Sequence, residues 1–193
     1  SNFDAARYNI GKALEANKKC TRANIILGDI EYRQGNFPAA VEAYSAIEQQ
    51  NHAYLSMVGE KLYEAYAVQG KQEEGLNRLI GYMQTFPDLD LINVIYEKAL
   101  LLKGETEAAQ IAVELVRQKP DLNGVYRLLG LKLSNMNPEW KADTDMIRSI
   151  IGRQLQKSVM YRCRNCHFKS QVFFWHCPAC NKWQTFTPNK IEI

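Results

Sequence analysis

Histidine is scarce in this chain, and long hydrophobic runs are missing from it. Only three of its 193 residues are histidine, and His52 is the only one before residue 160. No serine–histidine–acid set, glycine-rich phosphate loop or clustered carboxylate pair stands out, so the sequence offers no catalytic constellation. No apolar run approaches the ~20 residues that a membrane-spanning helix needs. Nothing resembles a secretory signal, which argues against an oxidising compartment and against structural disulfides. The chain opens on Ser1 rather than methionine; Ser1-Asn2 reads as a cloning remnant and the whole as a fragment. A composition 46% hydrophobic and 23% charged is globular, with length enough for one sizeable core and a small extra module.

Cysteine is scarce but concentrated. Four of the five lie in one short stretch, as Cys163-x-x-Cys166 and Cys177-x-x-Cys180. A Cys-x-x-Cys turn points two thiolates at one atom, and two such turns face to face make a tetrahedral sulfur site suited to zinc or a single iron. Two spaced pairs carry far more weight than one. A thioredoxin-like redox pair would instead need a single Cys-x-x-Cys opening a helix. His167 and His176 flank the cysteines, but four thiolates already fill a tetrahedral shell, so both read as structural or solvent-facing. A segment of about thirty residues is too small to fold unaided. Metal binding worth ~10–16 kcal/mol in comparable peptides supplies what it lacks. Cys20, set apart from these four, reads as a small core residue.

Charge is also unevenly spread. From Arg148 onward the chain has eight Lys/Arg and one acidic residue, Glu192, while the rest carries a net −4. A basic end fits an acidic partner face, anionic headgroups, nucleic acid or plain solvent.

Before the cysteines the sequence repeats. Asn36-Phe37-Pro38-Ala39-Ala40 follows Asn2-Phe3-Asp4-Ala5-Ala6 by 34 residues, and Gly35, Gly70 and Gly104 keep nearly that spacing. The period is that of tetratricopeptide (TPR) helix pairs. One copy shows Leu27-Gly28, Gly35, Ala40 and Tyr44; the next shows Leu62, Tyr66, Gly70 and Pro87, with Gly75 where alanine is usual; the third keeps Gly104, Ala109 and Val113. Small residues allow close helix approach, the glycines end first helices in a left-handed cap, and large apolar residues fill the gaps between repeats.

This pattern predicts helices over 3–16, 21–34, 38–49, 54–69, 72–85, 89–103, 105–119, 124–135 and 139–157. The chain thus begins inside a repeat, and Pro138 marks the start of its last helix. Strands are expected at 161–162, 169–176 and 183–187. Alternation would put Val172 and Phe174 on one face and Phe173 and Trp175 on the other. The second apolar face, with Trp183, wants a cover, and the helical array is the nearest. No linker separates the last helix from this module, so it should be docked rather than tethered. The fold is therefore expected to be mainly α: a TPR-type solenoid over 1–157 with a small β module over 158–193.

The two Cys-x-x-Cys turns resemble a rubredoxin knuckle pair, with His167 and Asn181 where rubredoxins carry glycine; both residues tolerate positive φ. TPR repeats ending in Tyr161-Arg162-Cys163 and Trp175-His176-Cys177-Pro178-x-Cys180 resemble the lipopolysaccharide assembly protein B family over essentially the whole chain. That resemblance implies a bacterial inner-membrane protein whose repeats lie in the cytoplasm behind an N-terminal anchor. It also implies an adaptor that works with the membrane protease FtsH to promote breakdown of the lipid A deacetylase, and that joins other regulators of lipopolysaccharide synthesis.

A non-enzymatic adaptor is therefore the leading reading, since helical repeats offer an extended concave surface for proteins. By the usual TPR pattern Arg22, Asp29, Tyr32, Arg33, Glu60 and Glu64 would line it. The alternative is a rubredoxin-like iron electron carrier fused to an interaction domain. Nucleic-acid binding would need Phe173, Trp175 or Trp183 free for stacking and is not expected. Homodimerisation and the choice between zinc and iron stay open.

Overall fold

The computed structural model describes residues 2–120, 122–133, 136–188 and 191–192. Among the described residues ten α-helices come first: α1 Phe3–Ala16, α2 Thr21–Arg33, α3 Phe37–Ser45, α4 Ile47–Asn51, α5 Leu55–Val68, α6 Gln72–Thr85, α7 Ile92–Lys103, α8 Glu105–Gln118, α9 Leu122–Lys132 and α10 Pro138–Ser158. Three short strands follow, β1 Val159–Arg162, β2 Lys169–Ser170 and β3 Ile191–Glu192. The architecture is a helical solenoid with a small C-terminal metal-ribbon module. Among the described residues no helix is long and apolar enough to cross a membrane.

The expected turn glycines sit where a side chain would be strained. Gly35, Gly70 and Gly104 have φ of +79°, +75° and +82°, so each ends a first helix and lets the chain reverse into the second. Pairing within a repeat depends on closeness. A Cβ on Gly28 would stand 2.4 Å from Cε1 of Tyr44, and one on Gly75 would stand 2.9 Å from Cβ of Tyr66. Gly75, out of pattern in the sequence, is thus the residue that this crossing requires.

The chain forms two compact units, Ser1–Tyr82 and Met83–Ile193. In the first, Ala40, Tyr44, Ile47, Tyr54, Leu55, Val58 and Leu62 make a core closed to solvent. α1 is held to α2 by polar contacts as well. Arg7 donates two hydrogen bonds to Glu31, at 2.6 and 2.9 Å, and Asn36 donates a third at 2.9 Å. The bond from Arg7 holds the Glu31 carboxyl below its ordinary value of 4.5 against the opposing push of burial, and Asn36 adds to the effect. Because the folded value is the lower one, this stabilisation is complete above about pH 4.5 and is lost as pH falls through the folded value. Glu31→Gln is therefore expected to cost about 1–3 kcal/mol at pH 7 and progressively less in acid. Urea midpoints of both proteins across pH 7 to 3 check this; a gap that widens in acid contradicts it.

In the second unit Leu89, Leu91, Ile95, Ala99, Ala108, Ala112 and Leu115 are buried, and Arg127 of α9 pairs with Asp90 at 2.7 Å. The metal module belongs to this unit with α7–α10. Burial raises the Tyr161 hydroxyl pKa, and the Asp90 carboxylate adds to it, so β1 lies within the field of the turn before α7.

Several expected boundaries shift. The helix expected over 38–49 divides at Ala46 into α3 and α4, followed by a 3-10 turn at His52–Tyr54. α7 starts three residues late, after a turn in which Leu89 N–H bonds the Phe86 carbonyl at 3.1 Å. α9 runs Leu122–Lys132, and the expected end at Asn135 lies outside the described residues.

The strands are shorter than expected. β1 is central, pairing antiparallel with β2 (Tyr161↔Ser170) and with β3 (Met160↔Ile191). The strand expected over 169–176 stops at Ser170, whose Oγ accepts the Val172 N–H at 3.0 Å and turns the chain. The one expected over 183–187 is interrupted by Gln184 at φ +54°. It survives only as the bridges His176↔Trp183 and Cys163↔Phe186. Phe173 does share a side with Trp175, their rings 5.2 Å apart, while Phe174 packs on Phe186 at 5.8 Å. The helical array does not cover Trp183, which is 59% exposed.

Candidate metal centre

Two equivalent turns build the site. In the first, Cys163 N–H bonds the Phe168 carbonyl at 2.9 Å and His167 N–H bonds the Cys163 carbonyl at 3.0 Å. In the second, Cys177 N–H bonds the Lys182 carbonyl and Asn181 N–H bonds the Cys177 carbonyl, both at 2.9 Å. His167 and Asn181 close their turns at φ of +61° and +56°. That is the conformation glycine would adopt freely and that these two residues tolerate. Lys182 Nζ donates to Asn165 Oδ1 at 2.8 Å and ties one turn to the other.

The turns bring all four sulfurs within 4.8 Å of one another. Cys163 and Cys180 Sγ are 3.8 Å apart, and Cys166 and Cys177 Sγ are 3.7 Å apart. A disulfide would need about 2.05 Å. A tetrahedron of sulfurs around zinc, with Zn–S about 2.3 Å, has edges of about 3.8 Å by geometry, so the donor set fits one metal ion. No histidine joins this set among the described residues. His176 Nε2 instead bonds the Asn181 carbonyl at 3.0 Å, and its ring lies on Trp183 at 4.8 Å.

The electrostatics favour a cation at the centre. Desolvation pushes the Cys163 thiol up, but hydrogen bonds from Thr185 and from the Cys166 and Asn165 backbones outweigh it and bring the group to about 6. At Cys166 a backbone hydrogen bond from Phe168 favours the thiolate, yet desolvation and the three neighbouring sulfurs drive the group up to about 12. Without a cation, four thiolates this close cannot all ionise. Phe186 is buried beneath the cluster, with Phe168 and Phe174 edge-on to it at 6.4 and 5.8 Å.

The six expected partner-surface residues divide. Arg33 and Glu60 are exposed, and Arg22, Tyr32 and Glu64 are half-buried. Tyr32 sets its ring edge-on to Phe37 at 5.4 Å. Asp29 is engaged within the fold, accepting hydrogen bonds from Tyr44 Oη at 2.7 Å and Lys61 Nζ at 2.7 Å. Sequence reading missed Lys61, Arg7 and Glu31; their pairings join residues 24 and 32 positions apart and leave no local signal. Cys20 packs beside Ile10, Ala23 and Ile30, as a small core residue would.

Residues 161–188 match a family described as a rubredoxin metal binding domain. The whole chain is similar to lipopolysaccharide assembly protein B of Escherichia coli K12, 24% identical over 188 residues, which cover 96% of this chain and 48% of that protein. The likeness to lipopolysaccharide assembly protein B thus covers nearly the whole of this chain. The Haemophilus influenzae protein of the same name is 22% identical over 184 residues, covering 94% of this chain and 46% of that protein. The chain thus spans about half the length of the curated family members it matches. Their similarity runs through the helical repeats as well as the metal-binding module.

Proposed function

We propose that this chain is the repeat-and-metal portion of a non-enzymatic adaptor in lipopolysaccharide assembly. The observation that carries the reading is a similarity to lipopolysaccharide assembly protein B over 96% of the chain, taken with a closed set of four sulfurs. Residues 1–157 would be the partner-binding repeats and 158–193 the metal module. The finer reading follows the family resemblance. The protein sits at the cytoplasmic face of a bacterial inner membrane through an N-terminal anchor and, with FtsH, presents the lipid A deacetylase for proteolysis.

In this reading Cys163, Cys166, Cys177 and Cys180 hold one zinc or iron ion. When bound, the ion neutralises the thiolates and supplies the cross-link a segment of this size needs to fold. His167 and Asn181 close the turns, Lys182 joins them through Asn165, and Phe186 fills the space beneath. Elemental analysis is expected to give one metal per chain. Absence of stoichiometric metal, or its full retention after two of the four cysteines are changed, counts against the assignment.

The functional test loads the same protein with zinc or with iron, then compares partner binding and the half-life of the lipid A deacetylase in depleted cells. Zinc has no redox chemistry, so equal competence in both forms is the expected result. Activity with iron alone, or activity that follows the oxidation state, favours the electron-carrier alternative.

A further inference from the structure

The last helix, α10, has one face committed and one left over. Arg148 stacks its guanidinium over the Tyr126 ring of α9 at 4.5 Å and donates to the Tyr126 carbonyl at 3.4 Å. A Cβ on Gly152 would come within 2.9 Å of the same ring, and Leu155 is buried. At about 100° per residue these positions point α10 inward toward α9. Beside them runs a different stripe. Trp140, Met146, Ile147 and Ile150 are 64%, 57%, 49% and 51% exposed. The outermost helix of a repeat array ordinarily turns a polar face to water, whereas this stripe sets four large apolar side chains among its charges.

Charges on the same stripe show what fits it. Glu139 and Asp143 lie toward its N-terminal end and Arg153 toward its C-terminal end. All three are exposed, and none makes an ion pair among the described residues. The pattern complements its own reverse. We propose that this face is a self-association surface, on which two copies of the chain pair their α10 helices antiparallel about a two-fold axis near residue 148. In that register Asp143 meets Arg153 of the second copy, and Met146 meets Ile150 of the second copy. The polar pair and the apolar pair are centred on the same position. The two Ile147 side chains flank the axis, and Trp140 covers each end. A parallel pairing would instead set Asp143 against Asp143, so the charges select the antiparallel form.

Sedimentation equilibrium on the whole chain tests the surface. The unaltered chain is expected to dimerise, and Ile147→Glu to raise the dissociation constant at least about tenfold. Asp143→Arg alone and Arg153→Glu alone should each weaken the dimer, and the two together should restore it, because only self-pairing brings these positions face to face. Circular dichroism confirms that each variant keeps its helix content. A monomer at all concentrations overturns the proposal, and so does a dimer that ignores Ile147→Glu. A double variant no stronger than the single ones overturns the antiparallel register.

Discussion

Serine at both Cys177 and Cys180 is expected to release the metal and unfold residues 159–188, with α1–α8 still helical. The module has almost no fold of its own without the centre. Its strands are two to four residues long, and its core consists of Cys163, Cys177 and Phe186 with a few half-buried aromatics. Metal binding worth about 10–16 kcal/mol in small metal-binding peptides exceeds anything so small a core supplies. Removing two of four sulfurs also leaves the thiolates of Cys163 and Cys166 with no closed shell. Elemental analysis should fall to background, and Trp175 and Trp183 emission should shift red. Far-UV circular dichroism should change little, since most of its signal comes from helices. A variant that keeps its metal, or a module that stays ordered without it, would show that packing alone holds these residues.

Tyr44→Ala should produce the largest loss of stability in the N-terminal unit, about 3–5 kcal/mol for a buried aromatic truncated to alanine. Tyr44 is fully buried and fills the groove that Gly28 leaves open. Its hydroxyl donates to Asp29 at 2.7 Å, and Asp29 also accepts from Lys61. Tyr44→Phe separates the two contributions. It keeps the ring and removes one hydrogen bond to a carboxylate, which is worth about 1.5–3 kcal/mol. Urea denaturation of the three proteins should therefore rank alanine well below phenylalanine. If the two variants are equally destabilised, the hydroxyl rather than the ring carries the site.

The helical part of this structure was readable because its determinants are local and periodic. Turn glycines recur at Gly35, Gly70 and Gly104, each in the left-handed region. Residues such as Gly28 and Tyr44 occur where a fixed helix crossing needs one small and one large side chain. The two cysteine turns were readable for the same reason, down to the unusual backbone at His167 and Asn181. What could not be read depends on single hydrogen bonds or on distant pairs. The apolar run Val172–Trp175 has strand composition, yet the Ser170 hydroxyl turns the chain just before it. Gln184 takes a positive φ that its residue type does not announce. Asp29 has the spacing of a surface carboxylate, but a tyrosine fifteen residues on and a lysine thirty-two residues on claim it for the fold.

α10 ends at Ser158 and β1 begins at Val159, with no residue between them. A junction without slack transmits torque. The last helical turn cannot unwind without pulling β1 out of register with both strands beside it, and β1 cannot shift without twisting that turn. Slow backbone amide exchange should accordingly be shared across residues 154–162, with helix end and central strand opening together as one event. A load applied along α10 would reach the strand that leads into Cys163 with no loop between to absorb it.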